Sequence, residues 1–330
     1  MKKATFFLIC CAVTVGVVFA AIDSQAEVIK LGHIRDIEHP THKGALAFAK
    51  LVDERTQGRI KINVFPNSQL GGIQEMFTQL QTGDLAMVYG GINTLGFIDG
   101  GDAFEITAIP FLYRDYAHMR QALSADFFKP VIEDAEKKTG IKILNIAGDT
   151  APRGLTANRA IRVPKDFRGL KIRTAASEVV LRVMKKLGAL PQQIPFAELY
   201  IALKTGVVDA QENGAIVVAT KSLYEVQNYY MKTDYIRDIE TFYIHPKFWN
   251  SLSEEDQKIL MTASEEAGAL VTDLTRQQLK EAYDILATKM TLIKPPELDL
   301  TAIRKQLEGV FDDWEGKKWP AGLLKKIGSM

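Results

Sequence analysis

Between Ser253 and about Met290 the chain contains nothing that stops a helix except Gly268. Ser253, with Asp256 three residues on, resembles a helix N-cap. Pro295-Pro296 ends the run from outside. At 1.5 Å per residue such a helix reaches roughly 55 Å, longer than one small domain. The 330 residues fit two domains, with this helix too long for either.

Residues 1 to about 26 read as processing. Lys2 and Lys3 precede an almost wholly apolar run from Ala4 to Ala21, and Ser24-Gln25-Ala26 forms a small-x-small cleavage pattern. An uncleaved membrane anchor is the rival reading. The residues before Cys10 and Cys11 are not the small ones a lipoprotein needs. Both cysteines of the chain lie in this segment, so a mature chain from about Glu27 has no disulfide or thiol chemistry. The whole chain has 41 Lys and Arg against 40 Asp and Glu, and losing Lys2, Lys3 and Asp23 leaves it neutral. With no basic run, nucleic acid is not an expected partner.

After the signal, Val28–Leu31 and Ile60–Phe65 alternate as strands, and Leu85–Tyr89 is an apolar strand before Gly90-Gly91. Thr41–Thr56 and Gly72–Thr82 have helical spacing, with Gly58 and Gly83 as stops. This alternation predicts a parallel sheet with helices on both faces. Further elements follow: a helical stretch around Tyr116–Leu123, a strand over Ile141–Ile146, and a helical tail from Leu300 to Trp314. Asp149–Ala151 looks like a crossing into a second α/β unit, and Tyr235–Ile239 a crossing back.

In the second unit Leu170–Ile172 reads as a strand and Ser177–Leu187 as a helix stopped by Gly188, so Arg173 sits where one hands over to the other. Ligands bind at such strand ends in open α/β sheets. An arginine offers a planar fork matched to a carboxylate. A structural arginine paired with Asp166 or Glu178 is the bland alternative. Asn213 occupies a similar place, though Asn213-Gly214 is also a common turn pair. His39 and His42, three apart near a helix start, raise a metal site, but no other histidine or cysteine is close enough to complete one. A helix cap and a helix-face histidine are the favoured reading. No Gly-x-Ser-x-Gly elbow, phosphate-cradling loop or His-Glu-x-x-His motif points to an enzyme.

Four motifs follow in order: Arg153-Gly154-Leu155-Thr156, Gly169-Leu170-Lys171-Ile172-Arg173-Thr174, Pro195-Phe196-Ala197-Glu198-Leu199-Tyr200 and Val207-Val208-Asp209-Ala210-Gln211-Glu212-Asn213. As a set they resemble the solute receptors of TRAP transporters, the DctP-like extracytoplasmic binding proteins. The resemblance implies an α/β, two-lobed periplasmic-binding-protein fold with a hinge, ligand in the interlobe cleft, and a long helix spanning both lobes. On this frame 27–150 plus about 239–278 form lobe I, and 151–238 plus about 279–330 form lobe II. It implies that Arg173 pairs with the ligand carboxylate, that Arg153 and Asn213 assist, and that Phe196 packs nearby. His33, Arg35, Asp36 and His39, in the loop after the first strand, face the cleft from lobe I.

The same resemblance implies a periplasmic receptor that hands a small organic acid to TRAP membrane permease subunits, with no cofactor and no catalysis. Service to a sensor kinase, or to an ATP-driven importer, are the competing classes. Many relatives carry an acid where this chain has Ile73, and sialic-acid-binding members carry one where it has Tyr89. With Gly90-Gly91 beside them, these departures point to a wide, less polar pocket for a bulky or aromatic carboxylate. A uronate or four-carbon dicarboxylate is the alternative.

Overall fold

The computed structural model describes residues 27–330, so the reading of 1–26 as an export signal lies outside the described residues. Two sheets are built in turn. Strands β1 (Glu27–Gly32), β2 (Ile60–Phe65), β3 (Met87–Gly91) and β4 (Lys142–Ile143) precede the crossing. Next come β5 (Arg153–Ala157), β6 (Lys171–Thr174), β7 (Leu190–Gln193), β8 (Ala210–Gly214) and β9 (Tyr229–Met231). Last are β10 (Glu240–Ile244) and β11 (Thr291–Ile293). The first sheet has the order β2-β1-β3-β10-β4, the second β11-β9-β5-β8-β6-β7.

The period-2 pattern explains β1 and β2. Ile29, Leu31, Ile60 and Ile62 turn inward between polar neighbours, and the two strands pair in parallel from Glu27↔Ile60 to Gly32↔Phe65. The expectation of a parallel sheet holds for the run it was made on, β2-β1-β3, and parallel pairs also join β6 to β7 and β8, and β9 to β11. β10 enters from late in the chain and runs antiparallel to both β3 and β4. In the second sheet β5 is antiparallel to β8 and β9. β5 and β10 each enter their sheet directly from a crossing segment and not through a βαβ unit, so neither is required to run parallel to its neighbours.

Two more expectations change. The strand over Ile141–Ile146 is only two residues long, because Asn145 replaces the ladder with its side chain. Its Oδ1 accepts from Phe242 N (2.9 Å), while its Nδ2 donates to Ser264 O (3.0 Å). The tail helix stops at Gln306 rather than Trp314. Gly309 is left-handed (φ 67°), and Phe311, Trp314 and Trp319 close on one another, with Trp314 and Trp319 ring centroids 5.8 Å apart. Gly90 and Gly91 lie within β3, not after it.

The long helix runs from Glu254 to Lys289, 36 residues, and the Ser253 side chain caps it by accepting from Asp256 N. One half packs Leu260, Ala263, Ala267 and Val271 into a core with Phe48, Val52 and Phe242 beneath the first sheet. The other half packs Ala282 and Leu286 against Leu199, Ala215 and Val218 of the second. The two crossing segments lie side by side: Asp149 bridges Ile239 in antiparallel fashion, and Arg153 N donates to Ile236 O (2.9 Å). Asp149 is also tied to the helix, its N–H to Thr272 Oγ1 (3.1 Å) and its carbonyl from Thr275 Oγ1 (2.8 Å). Among the described residues no helix is long and apolar enough to cross a membrane.

Gly268 lets the helix reach the first crossing. A Cβ there would stand 2.6 Å from both the Cβ and the carbonyl oxygen of Ala147. Helix propensity alone favours Gly268→Ala by about 1 kcal/mol, whereas overpacking against backbone costs about 1–3 kcal/mol. The contact wins, so urea denaturation should show Gly268→Ala to be less stable than the parent. A variant more stable than the parent would contradict that packing.

Candidate functional site

One edge of each sheet faces a single cavity of about 490 Å³, lined at the carboxyl ends of β3, β6, β7 and β8 and at the amino ends of the antiparallel β5 and β10. Arg173 belongs to β6, between β7 and β8, where Arg173 pairs with Gln192 and Gln211. Its side chain is nearly all buried, with the residue 3% exposed. Nε donates to Ile194 O (2.8 Å), and among the described residues that is the only hydrogen bond of the guanidinium. Burial pushes its pKa down to about 10, with Glu212 working the other way, so it remains a cation at neutral pH.

Arg153 opens β5 and lines the same cavity, but Glu212 engages it. Nε to Oε2 is 2.5 Å, Nη2 to Oε1 is 2.7 Å, and Nη2 also donates to the Glu212 carbonyl (2.8 Å). Tyr235 Oη donates to the same carboxylate (2.9 Å). Burial opposes the charge on Arg153, yet the Glu212 carboxylate outweighs it and holds the pKa above the ordinary arginine range. Asn213 lines the cavity beside them, its Nδ2 donating to Gln211 Oε1 (2.7 Å). Phe196 follows Pro195 in a short turn and gathers cations about its ring: Lys221 Nζ at 4.9 Å, Arg35 Cζ at 5.4 Å and Arg173 Cζ at 5.9 Å from the centroid.

Of the loop after β1, only Arg35 lines the cavity among the four residues expected there. Its Nε lies 3.7 Å from Glu240 Oε1. Asp36 instead accepts from Thr220 Oγ1 (2.9 Å), joining this loop to the second unit. His39 caps the helix Pro40–Arg55, accepting from Thr41 N, and is buried behind the wall. Thr41 Oγ1 in turn donates to Glu240 Oε1 (3.0 Å). His33 is fully buried. Its Nδ1 accepts from Arg35 N (3.2 Å), so Nε2–H is the donor to His42 Nδ1 (3.1 Å). Burial, with His42 and Arg35 adding to it, pushes the His33 pKa down to about 3. Among the described residues no group of three or more His, Cys, Asp or Glu is placed to hold a metal.

Ile73 and Tyr89 line the cavity, but Tyr89 is not a platform for a ligand ring. It has no exposed surface and stacks on Phe242, centroids 3.8 Å apart and planes 4° off parallel. Nor do the glycines open space for ligand. A Cβ on Gly90 would meet Ile73 Cδ1 at 3.3 Å, and one on Gly91 would meet Asp238 Oδ2 at 2.0 Å. The room belongs to a buried carboxylate.

Asp238 and Glu240 are the cavity residues that sequence reasoning missed. Burial, then the Glu240 charge, pushes the Asp238 pKa up to about 7. Burial likewise raises that of Glu240. The available signal was Glu240 itself: an acid inside the mostly apolar run Ile239–Ile244 needs a partner. Asn93 and Thr94, just past β3, add further polar lining.

Residues 31–317 match the family model for bacterial extracellular solute-binding proteins, family 7. A 2,3-diketo-L-gulonate-binding periplasmic protein of Escherichia coli is 31% identical over 267 residues, 81% of this chain and 80% of that protein. A sialic acid-binding periplasmic protein of Vibrio cholerae is 28% identical over 297 residues, 90% of this chain and 91% of its own. A TRAP periplasmic solute-binding protein of Haemophilus influenzae, solved with bound L-gulonate, superposes with a TM-score of 0.84 at 27% identity, covering 92% of this chain and 99% of that one.

Two tests follow from this geometry. Glu212→Ala leaves Arg153 buried without its counter-charge and should cost about 3–5 kcal/mol in urea denaturation. The double variant Arg153→Met, Glu212→Leu should recover most of the loss, and no recovery would mean that Glu212 acts through something other than the pair. The second test concerns pH. A folded pKa near 3 lies below the ordinary 6.5, so the folded protein takes the His33 proton less readily than the unfolded chain. Stability from this group is complete above about pH 6.5 and falls, by up to about 1.4 kcal/mol per unit, as pH drops toward 3. Denaturation curves at pH 7 and pH 5 should converge in His33→Gln relative to the parent. An unchanged pH dependence would remove His33 from the account.

Proposed function

Because the chain belongs to the bacterial extracellular solute-binding proteins of family 7, we propose that it works in the periplasm as the receptor that passes a small organic acid to TRAP permease subunits. It captures the acid through its carboxylate and acts by binding rather than by turnover. One observation carries the assignment: Arg173 is a buried cation whose terminal nitrogens, among the described residues, have no hydrogen-bond partner, at the wall of a cavity of about 490 Å³. A carboxylate there restores the charge balance that burial upset and accepts two parallel hydrogen bonds. The relatives that bind 2,3-diketo-L-gulonate and sialic acid support this, since both ligands bear a carboxylate.

The neighbours divide the work. Arg153 is largely committed to Glu212, so it contributes mainly a fixed wall and one remaining nitrogen, Nη1. Asn213 offers its amide beside Arg173, and Phe196 covers the site with Arg35 against its ring. His33, Asp36 and His39 serve indirectly, by holding the Arg35 loop in place.

In this reading 27–150 with about 239–278 form one lobe, and 151–238 with about 279–330 the other, hinged at Asp149–Ala151 and Tyr235–Ile239. The lobes close by rotation about these paired segments, which desolvates the ion pair and strengthens it. Closure brings the Asp36–Thr220 and Arg35–Phe196 contacts together.

Calorimetric titration tests the anchor. Arg173→Ala should lower affinity for the cognate acid about 100-fold or more. Arg173→Lys should also fail largely, because one ammonium does not reproduce the fork. A loss under about threefold with the fold intact would remove Arg173 from the role. Small-angle scattering should show a smaller radius of gyration when the acid is saturating, and identical profiles would argue against hinge closure.

A further inference from the structure

Asp238 and Glu240 line the cavity, and each carries an oxygen that has no hydrogen-bond partner among the described residues. Asp238 Oδ1 is held by the N–H groups of Asn93 (3.3 Å) and Ile239 (3.0 Å). Oδ2 has no hydrogen bond among the described residues and fills the space that Gly91 leaves. Glu240 is fully buried, with Oε1 taken by Thr41 Oγ1 and facing Arg35. Its Oε2 is buried with no partner among the described residues. A buried acceptor left empty costs about 1–3 kcal/mol. Glu240 Oε2 is closed off from the cavity, whereas Asp238 keeps a little exposure, so a bound molecule that donates would meet Asp238 Oδ2 with Glu240 behind it.

The charges at this end sharpen the point. Arg35 is the near cation, and it already meets Glu240 and lies over Phe196. Burial already pushes Asp238 and Glu240 toward protonation, with the Glu240 charge adding to it at Asp238, and a second carboxylate placed here would add a third like charge to the pair. A hydroxyl or an ammonium would instead satisfy acceptors that are already desolvated.

Building on the carboxylate-receptor reading, we propose that Asp238 and Glu240 form a donor-reading subsite that selects acids whose far end carries a hydroxyl or ammonium group and rejects those ending in a second carboxylate. Arg173 takes one end of the ligand, and the acid pair inspects the other. Gly91 belongs to this device, since any side chain there would displace the Asp238 carboxylate.

The test uses two pairs of six-carbon acids that differ at the far end, titrated calorimetrically into the mature chain. D-gluconate and D-glucarate compare a hydroxyl with a carboxylate; 6-aminohexanoate and adipate compare an ammonium with a carboxylate. The donor-ended acid should bind about tenfold tighter or more in at least one pair, and which pair responds tells hydroxyl from ammonium. Glu240→Gln and Asp238→Asn should each narrow that ratio toward about threefold or less. A carboxylate-ended acid that binds equally or more tightly in both pairs overturns the proposal, as does a ratio that survives both substitutions. The parent's ratios decide the matter even where a variant fails to fold. If Arg173→Ala leaves the binding of these acids unchanged, the carboxylate reading fails while the far-end preference stands. If none of the four binds, both fall.

Discussion

The structure is arranged around one costly placement, a guanidinium taken out of water and left without a matching carboxylate of its own. Bringing an ion into a protein interior costs several kcal/mol even after relaxation. Arg173 tolerates it because Glu212 lies near enough to oppose the loss of charge, while Arg153 occupies both Glu212 oxygens and keeps that carboxylate from closing on Arg173. Tyr235 adds a donor to the same carboxylate, so a residue of the return crossing helps to hold the arrangement. β5, β6 and β8 must lie side by side for these three charges to meet, and the registers Leu155↔Glu212 and Arg173↔Gln211 bring them there. Ligand chemistry and sheet order are thus the same requirement seen at two scales.

The first sheet supplies the complementary half of the cavity by a different means. Its wall is made from a returning strand, β10, inserted between β3 and β4. That insertion carries Asp238 and Glu240 up to the glycine pair of β3, where the missing side chains leave room for one carboxylate and one isoleucine. The loop after β1 then reaches over, and its backbone is fixed by His33, itself held by His42.

Much of this was legible in the chain, where local signals and tertiary placement agreed. The long helix announced itself through a capped start at Ser253 and the absence of any strong breaker. β2 was legible to the residue because Ile60 and Ile62 alternate with Lys61 and Asn63. Arg173 stood out because a strand and a capped helix flank it closely, with Ser177 accepting from Val180 N. What stayed hidden depends on contacts far apart in sequence. Nothing local to Gly91 says that an acid from the return crossing fills its vacancy. Nothing in Tyr89 says that Phe242 covers its face. The strand at Ile141–Ile146 was overread because Asn145 can imitate a ladder with its side chain, and the tail because Gly309 outweighs the apolar spacing around it.

The grip on Asp149 has a mechanical meaning. Thr272 and Thr275, which hold it, fall close to the middle of the 36-residue helix. A hydrogen-bonded helix resists stretching far more than it resists gentle bending. In the hinge closure proposed above it would serve as an axle clamped at its centre, holding the two sheets against sliding while they tilt. Tilt about a central clamp displaces the ends of the axle most. In that closure the surfaces near Ser253 and Met290, which do not line the cavity, would move furthest and report the closed state without any contact with the acid inside.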